Sequence, residues 1–296
     1  MASTNVSTLQ NTPAVPARRK GSGIIPYLLI APPVLIMAGL IFWPAIQAVI
    51  ETLVLTNATT GKLSISLLNY INFFRDPILR ENLWFTLEIT LGTVVVLFIV
   101  GFPLALYLRF SKSRIAAVVQ VLTLFPLFVP GVILAFAMIR FLGTHGMLDT
   151  MLSMLGSTKF STPYQHPSGV LIALVWDNIP FTVLVLTAGL RQVEDSVIES
   201  ARDVGANVWQ IFLLIILPLM TRAVLIVFCL NVIGVFGSFT LPYLIGPAQP
   251  MMMGVSMQQT FNGYKDRIGA LTQAVITFIF CASVGVLYVR TVSRPH

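Results

Sequence analysis

Apolar residues run along this chain in long blocks separated by short polar segments. A helix needs about 20 apolar residues to cross about 30 Å of hydrocarbon. Six blocks meet that length: 25–51, 84–108, 116–141, 168–190, 212–239 and 268–290. The pattern predicts an all-α polytopic membrane protein with six transmembrane helices. Prolines punctuate four of these blocks: Pro32 and Pro33 in the first, Pro103 in the second, Pro126 and Pro130 beside Gly131 in the third, and Pro180 in the fourth. Each removes a backbone hydrogen bond that protein, a Ser/Thr side chain or cavity water must replace. Their crowding in the third block points to a pathway wall; the plainer reading is that membrane helices simply carry more prolines.

Composition strengthens this picture. Of 296 residues, 56% are drawn from AVILMFWYC and 10% are charged, against about 25% charged in an ordinary soluble domain. With a mean hydropathy of +0.87, the chain cannot cover a soluble surface, which excludes a soluble enzyme or a secreted scaffold. The net charge of +7 forms no basic stripe of the kind that nucleic-acid binding requires. Cys229 and Cys281 both fall within apolar blocks, so no disulfide framework or metal cluster follows. Residues 1–23 are polar and end near Arg18, Arg19 and Lys20. They read as a disordered cytoplasmic tail ahead of a permease domain over 24–296, since the next block exceeds the 7–15 residues of a cleavable signal core.

Six spans place both termini on one side, and the Lys/Arg bias of short loops chooses which. With both ends cytoplasmic, ten cations lie inside and seven outside, and Arg222 falls within the fifth block. The outer segments are longer in total, so the difference in density is greater still.

The segment from Arg191 to Gln210 is too long for a simple turn. Glu194, Asp195, Glu199 and Asp203 place four of the chain's eleven acidic residues within ten positions. Val193, Val197, Ala201 and Val204 recur at helical spacing, which predicts a short amphipathic helix. Ser196 with Glu199 fits a capping box at its start, and Gly205 fits its end or a close backbone approach. An acidic cytoplasmic helix suits docking into a partner; helices lying on lipid are normally rich in Lys and Arg.

Glu199-Ser200-Ala201, Gly205-Ala206, Trp209, Phe212, Ile215 and Leu217-Pro218 closely resemble the EAA loop of ABC-importer permeases. Asn69-Tyr70, Asp76-Pro77, Gly146 with Leu148, Leu155-Gly156, Trp176, Pro180-Phe181 and the stretch Gly237–Tyr243 extend the resemblance to binding-protein-dependent permeases of the spermidine/putrescine type. Ser200 replaces the usual Ala, and Arg222 stands where these permeases often have a second proline. The resemblance implies a type I ABC-importer permease fold and a coupling loop at about 191–211, seated in a groove of a cytoplasmic ATPase. Within it, Glu199, Ser200, Ala201, Gly205 and Ala206 would make the contact, and Pro218 would begin the helix that carries movement into the membrane. It also implies a second permease subunit, two ATP-binding subunits, an extracytoplasmic solute-binding protein and a bacterial inner-membrane setting, with lipid around the spans.

The chain has no phosphate-cradling Gly-x-x-x-x-Gly-Lys-Ser/Thr loop and no nucleophile triad, paired carboxylates or metal cluster. It is therefore not expected to be an enzyme or to need a cofactor; a separate ATPase would hydrolyse ATP. His145, His166 and His296 read as exposed loop or terminal residues. A self-sufficient secondary transporter or channel is the competing reading, which would favour inverted repeats with broken helices; a scaffold subunit would leave the EAA-like loop unexplained. Ionisable and polar residues within spans are functional candidates by default. Asp177 and Glu88, both read near the outer ends of their spans, with Trp176, Asn178 and the deeper Asn231, make up the pathway set. Its carboxylates suit an organic cation such as a polyamine, unless Asp177 pairs with Arg140 or Glu88 only reaches the headgroups. Related permeases also move opines, thiamine, ferric iron or phosphonates.

Overall fold

The computed structural model describes residues 25–56, 63–156 and 162–293. The proposed tail at 1–23 lies outside these residues, as do Lys62, Lys159 and His296.

The chain divides after Gln47 into two units. In the first, α1 (Ile25–Met37) carries Pro32 and Pro33 and runs through a π-helical turn, Ala38–Phe42, into α2 (Trp43–Leu53), whose last turns belong to the second unit. There a small antiparallel hairpin follows, β1 (Val54–Thr56) with β2 (Leu63–Ile65), which the helical reading did not include. Next come α3 (Leu68–Arg75) and α4 (Pro77–Phe110). α4 starts seven residues before the apolar block because Asp76 caps it, its carboxylate accepting from the Ile78 and Leu79 amides.

The third block is not one helix. α5 (Arg114–Leu124) tightens into a 3₁₀ turn at Phe125–Phe128, the chain extends at Val129, and α6 (Gly131–Leu142) restarts after Pro130. A residue before proline is disfavoured in helical backbone by the ring's Cδ, and Pro130 has no N–H with which to continue the ladder. α7 (Met147–Met154) and α8 (Pro167–Leu190) follow, then α9 (Asp195–Asp203) in the connecting segment.

The fifth block is corrected as well. α10 (Val208–Ile211), a π-helical turn at Phe212–Ile216 and α11 (Leu217–Leu219) form one rod, which meets α12 (Thr221–Phe236) at 72° across Met220. Pro218 weakens the ladder just before the bend. Arg222, expected inside the span, is the second residue of α12, and its guanidinium donates to the Val292 carbonyl at 2.6 Å. That carbonyl lies in the last turn of α15, where helix carbonyls lack partners and cations are favoured.

After α12 come α13 (Thr240–Ile245), α14 (Met253–Gln258) with a π-helical turn at Gln259–Gly263, and α15 (Arg267–Ser293). Among the described residues, five helical stretches are long and apolar enough to cross a membrane, six with the bent pair. The protein is an all-helical polytopic membrane protein apart from the hairpin.

α4 and α8 pack in parallel at the centre. A Cβ on Gly101 would stand 2.9 Å from Thr182 Cγ2, and one on Gly92 3.1 Å from Leu171 Cδ1, so the missing side chains let the helices approach. One apolar cluster joins Phe85, Leu134, Leu174, Val235 and Ile245. A second, at the other end, joins Ala105, Leu186, Ile198, Ile216 and Val227. The segment before α14 is held to α4 by a buried polar group: Asn82 accepts from the Met251 amide (2.9 Å) and Thr86 from the Met253 amide (2.8 Å). These bonds satisfy backbone donors that would be costly to leave unpaired away from water.

Candidate functional site: the connecting segment and the α8 groove

The connecting segment is anchored on one side and open on the other. Val193, Ile198, Ala201 and Ile211 are buried in the second apolar cluster. The stripe expected from spacing divides: Val193 and Ala201 face inward, while Val197 and Val204 are exposed, the latter at 84%. Val208 and Trp209, 73% exposed, continue this outward apolar surface. The proposed capping box at Ser196 and Glu199 is absent. Glu194 is the N-cap residue, and the Ser196 hydroxyl donates to its carboxylate at 3.2 Å. A reciprocal box forms instead at Asn207 and Gln210, with bonds of 2.8 and 2.9 Å. Ser200 donates to the Ser196 carbonyl at 2.8 Å.

Gly205 ends α9 with φ of +85°. Its amide donates to the Arg202 carbonyl (2.9 Å), and the Ala206 amide to Ala201 (3.0 Å), the paired bonds of a left-handed helix stop. Among the described residues, no atom beyond its chain neighbours lies within 4 Å of where its Cβ would stand, so the need for glycine comes from backbone conformation and not from a packed neighbour. Glu199 is exposed and has no hydrogen bond or ion pair. Pro218 sits in the rod two residues before the bend at Met220.

Two links tie this segment to α4, and neither was foreseen from sequence. Arg109 pairs with Asp195 at 2.8 Å, with the arginine side chain 19% exposed. Phe212 meets Phe102 edge-on, with ring centroids 5.5 Å apart, and the chain of rings continues to Phe98 on one side and Trp209 on the other. A cation at the end of one helix and a carboxylate 86 positions later carry no sequence signal that they meet. Asp195→Arg is expected to lower uptake several-fold per molecule in the membrane, and the exchange Arg109→Asp with Asp195→Arg to recover most of it. Equal uptake in all three forms would show that the pair transmits nothing.

The pathway set does not form one cluster. Asp177 is the eleventh of the 24 residues of α8, deeper than the outer-end position read from sequence. It is half-buried and, among the described residues, has no hydrogen bond or ion pair. The alternative pairing with Arg140 is absent, and Arg140 is likewise without a polar partner. Glu88 is exposed on α4. It lies four residues before Gly92, while Asp177 lies six after Leu171, so the Gly92–Leu171 contact separates them by about 15 Å along the helix axes. Asn178 donates to the Leu174 carbonyl of its own helix at 2.8 Å. Asn231, 2% exposed, donates to Thr182 Oγ1 (3.0 Å) and the Val227 carbonyl (2.9 Å), which makes it a tie between α12 and α8.

Trp176 borders a cleft of about 980 Å³ with Phe125, Ile133, Arg140, His145 and Ile172. A second cavity of about 340 Å³ lies further along α8, bordered by Gln120, Thr123, Leu124, Leu184, Thr187 and Arg191. His145 stands in the turn before α7 and approaches Asp149 at 3.8 Å, and His166 is the N-cap residue of α8. Among the described residues no group of three or more His, Cys, Asp or Glu side chains could hold a metal ion.

Residues 97–294 match the sequence model of the family described as "Binding-protein-dependent transport system inner membrane component". The spermidine/putrescine transport system permease protein PotB of Escherichia coli K12 is 28% identical over 227 residues, 75% of this chain and 82% of that protein. The sulfoquinovosyl glycerol transport system permease protein SmoG of Agrobacterium fabrum is 26% identical over 286 residues, 92% of this chain and 91% of that one. Among solved structures, a chain of a bacterial alginate ABC transporter, crystallised with an alginate pentasaccharide-bound periplasmic protein, superposes with a TM-score of 0.72 at 18% identity, covering 90% of this chain and 92% of that chain. A chain of the inward-facing MetNI methionine ABC transporter gives 0.56 at 18% identity, covering 73% and 96%.

Proposed function

This chain belongs to the binding-protein-dependent transport system inner membrane components, and as an ABC-importer permease of that family we propose that it carries a polyamine or related organic cation, driven by ATPase subunits that dock on α9. The observation that carries the coupling half is the two-sidedness of that segment. Its inner face is fixed in the second apolar cluster, while Glu199, Val197 and Val204 stand outward and Trp209, touching Phe212 at one edge, is still 73% exposed. Exposed apolar side chains around an acidic helix suit a protein groove better than an anionic lipid surface.

The remaining parts follow the family. A second permease subunit completes the pathway, two ATP-binding subunits sit on the α9 side, and a solute-binding protein delivers from the opposite side. Both termini are cytoplasmic, in keeping with the denser cations of the segments on the α9 side.

The solute assignment rests on Asp177, a half-buried carboxylate without a partner near mid-span. A charge so placed is expensive unless it serves a ligand or a relay, and its sign suits an ammonium. PotB, among the relatives, is named for spermidine and putrescine. One observation favours a second reading: Arg140 borders the large cleft and suits an anion, in line with the sulfonated glycoside in the name of SmoG.

The test is uptake by the assembled transporter in proteoliposomes, offered putrescine, spermidine or sulfoquinovosyl glycerol. Polyamine uptake that requires ATP and the binding protein is expected. Transport of the sulfonate alone would transfer the assignment to Arg140, and uptake independent of ATP would return the chain to the secondary-transporter class.

A further inference from the structure

The two cavities both border α8 and the end of α5, and an aromatic contact on the rim of the larger lies where one set of lining residues gives way to the other. Leu124 borders the smaller cavity and Phe125, the next residue, borders the larger. On α8 the division falls between Trp176, on the large cleft, and Val183, on the small one. The residues of α8 and its C-cap that border the two spaces include 172, 176, 183, 187 and 191, spaced by four, seven, four and four. Such spacing keeps one face of a helix, so a single face of α8 looks along both. At the division Phe125 meets Trp176 edge-on, with centroids 6.5 Å apart.

Prolines stand on both walls at this level. On one side α5 gives way to the 3₁₀ turn at Phe125–Phe128, with Pro126 inside it and Pro130 just beyond. On the other, Pro180 lies inside the continuous α8 four residues after Trp176 and removes one bond from its ladder. A proline leaves the ladder short of a bond and is where helices bend. Polar groups wait on the far side: the Thr187 hydroxyl is buried and unpaired, and Thr123 on the same cavity is 92% buried. In a dry, permanently closed space the unpaired hydroxyl would be costly; in a compartment entered by water or solute it has a partner.

We propose that Phe125 and Trp176 form a gate between an outer and an inner compartment of the transport path, with Pro126, Pro130 and Pro180 as the bending points that part the two rings. The proposal rests on the permease reading and its orientation, but not on the solute's charge. In the structure the rings are together and the compartments are separate.

The test measures access and not transport, so its failure is distinct from failure of the functional assignment. In the assembled transporter, Ile172→Cys marks the outer compartment and Thr187→Cys the inner one, with the parent chain's own thiols setting the background. A membrane-impermeant methanethiosulfonate added from outside is expected to modify Ile172→Cys and to leave Thr187→Cys largely untouched. Adding Phe125→Ala, or separately Trp176→Ala, should speed outside modification of Thr187→Cys by about tenfold or more, the equivalent of ~1.4 kcal/mol in barrier. Phe125→Tyr should keep it slow. Two ring deletions guard against one of them misfolding, and membrane abundance is scored for each. The gate is overturned if Thr187→Cys reacts from outside as fast as Ile172→Cys with both rings present, or if neither deletion changes its rate. Modification of Ile172→Cys only from the cytoplasmic side would also overturn the proposal, since the compartment assigned to the outside would then open inward.

Discussion

Gly205→Val is expected to lower uptake by about a hundredfold or more while the protein still inserts and accumulates, the equivalent of ~2.7 kcal/mol of lost coupling. The residue holds φ at +85°, a conformation that costs other L-residues about 1–2 kcal/mol, and a β-branched side chain more. Space is not the obstacle, since among the described residues nothing beyond its chain neighbours lies within 4 Å of the added Cβ. The strain acts on the turn between Ala201 and Ala206, which sets where α9 stands relative to the rod that begins at Val208. Gly205→Asn separates two causes, because asparagine tolerates left-handed backbone. If Asn restores uptake, the requirement is conformational; if it fails as Val does, a partner's backbone approaches closely at this point. Glu199→Lys is the companion variant: the carboxylate is exposed and unpaired here, so reversal costs the fold little and should weaken ATPase co-purification. Normal uptake and normal ATPase association in Gly205→Val would remove the coupling assignment.

Asp177→Asn is expected to reduce polyamine uptake by about tenfold, with membrane abundance unchanged. The amide preserves shape and removes charge, and charge-assisted hydrogen bonds are roughly twice as strong as neutral ones. Because Asp177 and Arg140 do not pair, Arg140→Gln should also leave abundance unchanged, and the double variant should show no recovery. A buried ion pair would behave oppositely, each single change leaving an uncompensated charge that damages folding. Uptake and immunoblot abundance for the three variants decide between them. Normal polyamine uptake by Asp177→Asn would sink the carboxylate's role in solute passage.

Hydropathy located the membrane-crossing blocks well where helices run straight, as α8 and α15 do, with ends within two or three residues of the apolar runs. It is blind to direction. The apolar run 212–239 contains a bend of 72°, because residues on both sides of Met220 are equally apolar and only Pro218 hints at a corner. At the start of α4 the reverse holds: 77–83 contain Arg80, Glu81 and Asn82, so composition hid about two turns that the Asp76 cap makes helical. The inward face of α9 was half legible. Period alone fits Val193, Val197, Ala201 and Val204, yet burial follows Ile198 and Ala201, since the segment's seat on α8 and α12 decides which side is down. Asn231 illustrates the limit for sites. A deep polar residue in a span signals that a partner exists, but not whether that partner is solute or, as here, Thr182 on the next helix.

The corner at Met220 has a mechanical meaning. Val208–Leu219 is a rod of 12 residues, about 18 Å long at 1.5 Å per residue, jointed to α12 at a buried elbow and joined to α9 through Gly205 and the Asn207 box. A push of about 5 Å at the free end of an arm of that length is a swing of about 16° at the joint. If ATPases dock on α9 as proposed, the elbow would act as a bell crank: a sideways shove on α9 would re-emerge as rotation at Met220, and the Arg222 bond to the Val292 carbonyl ties α15 to the same corner.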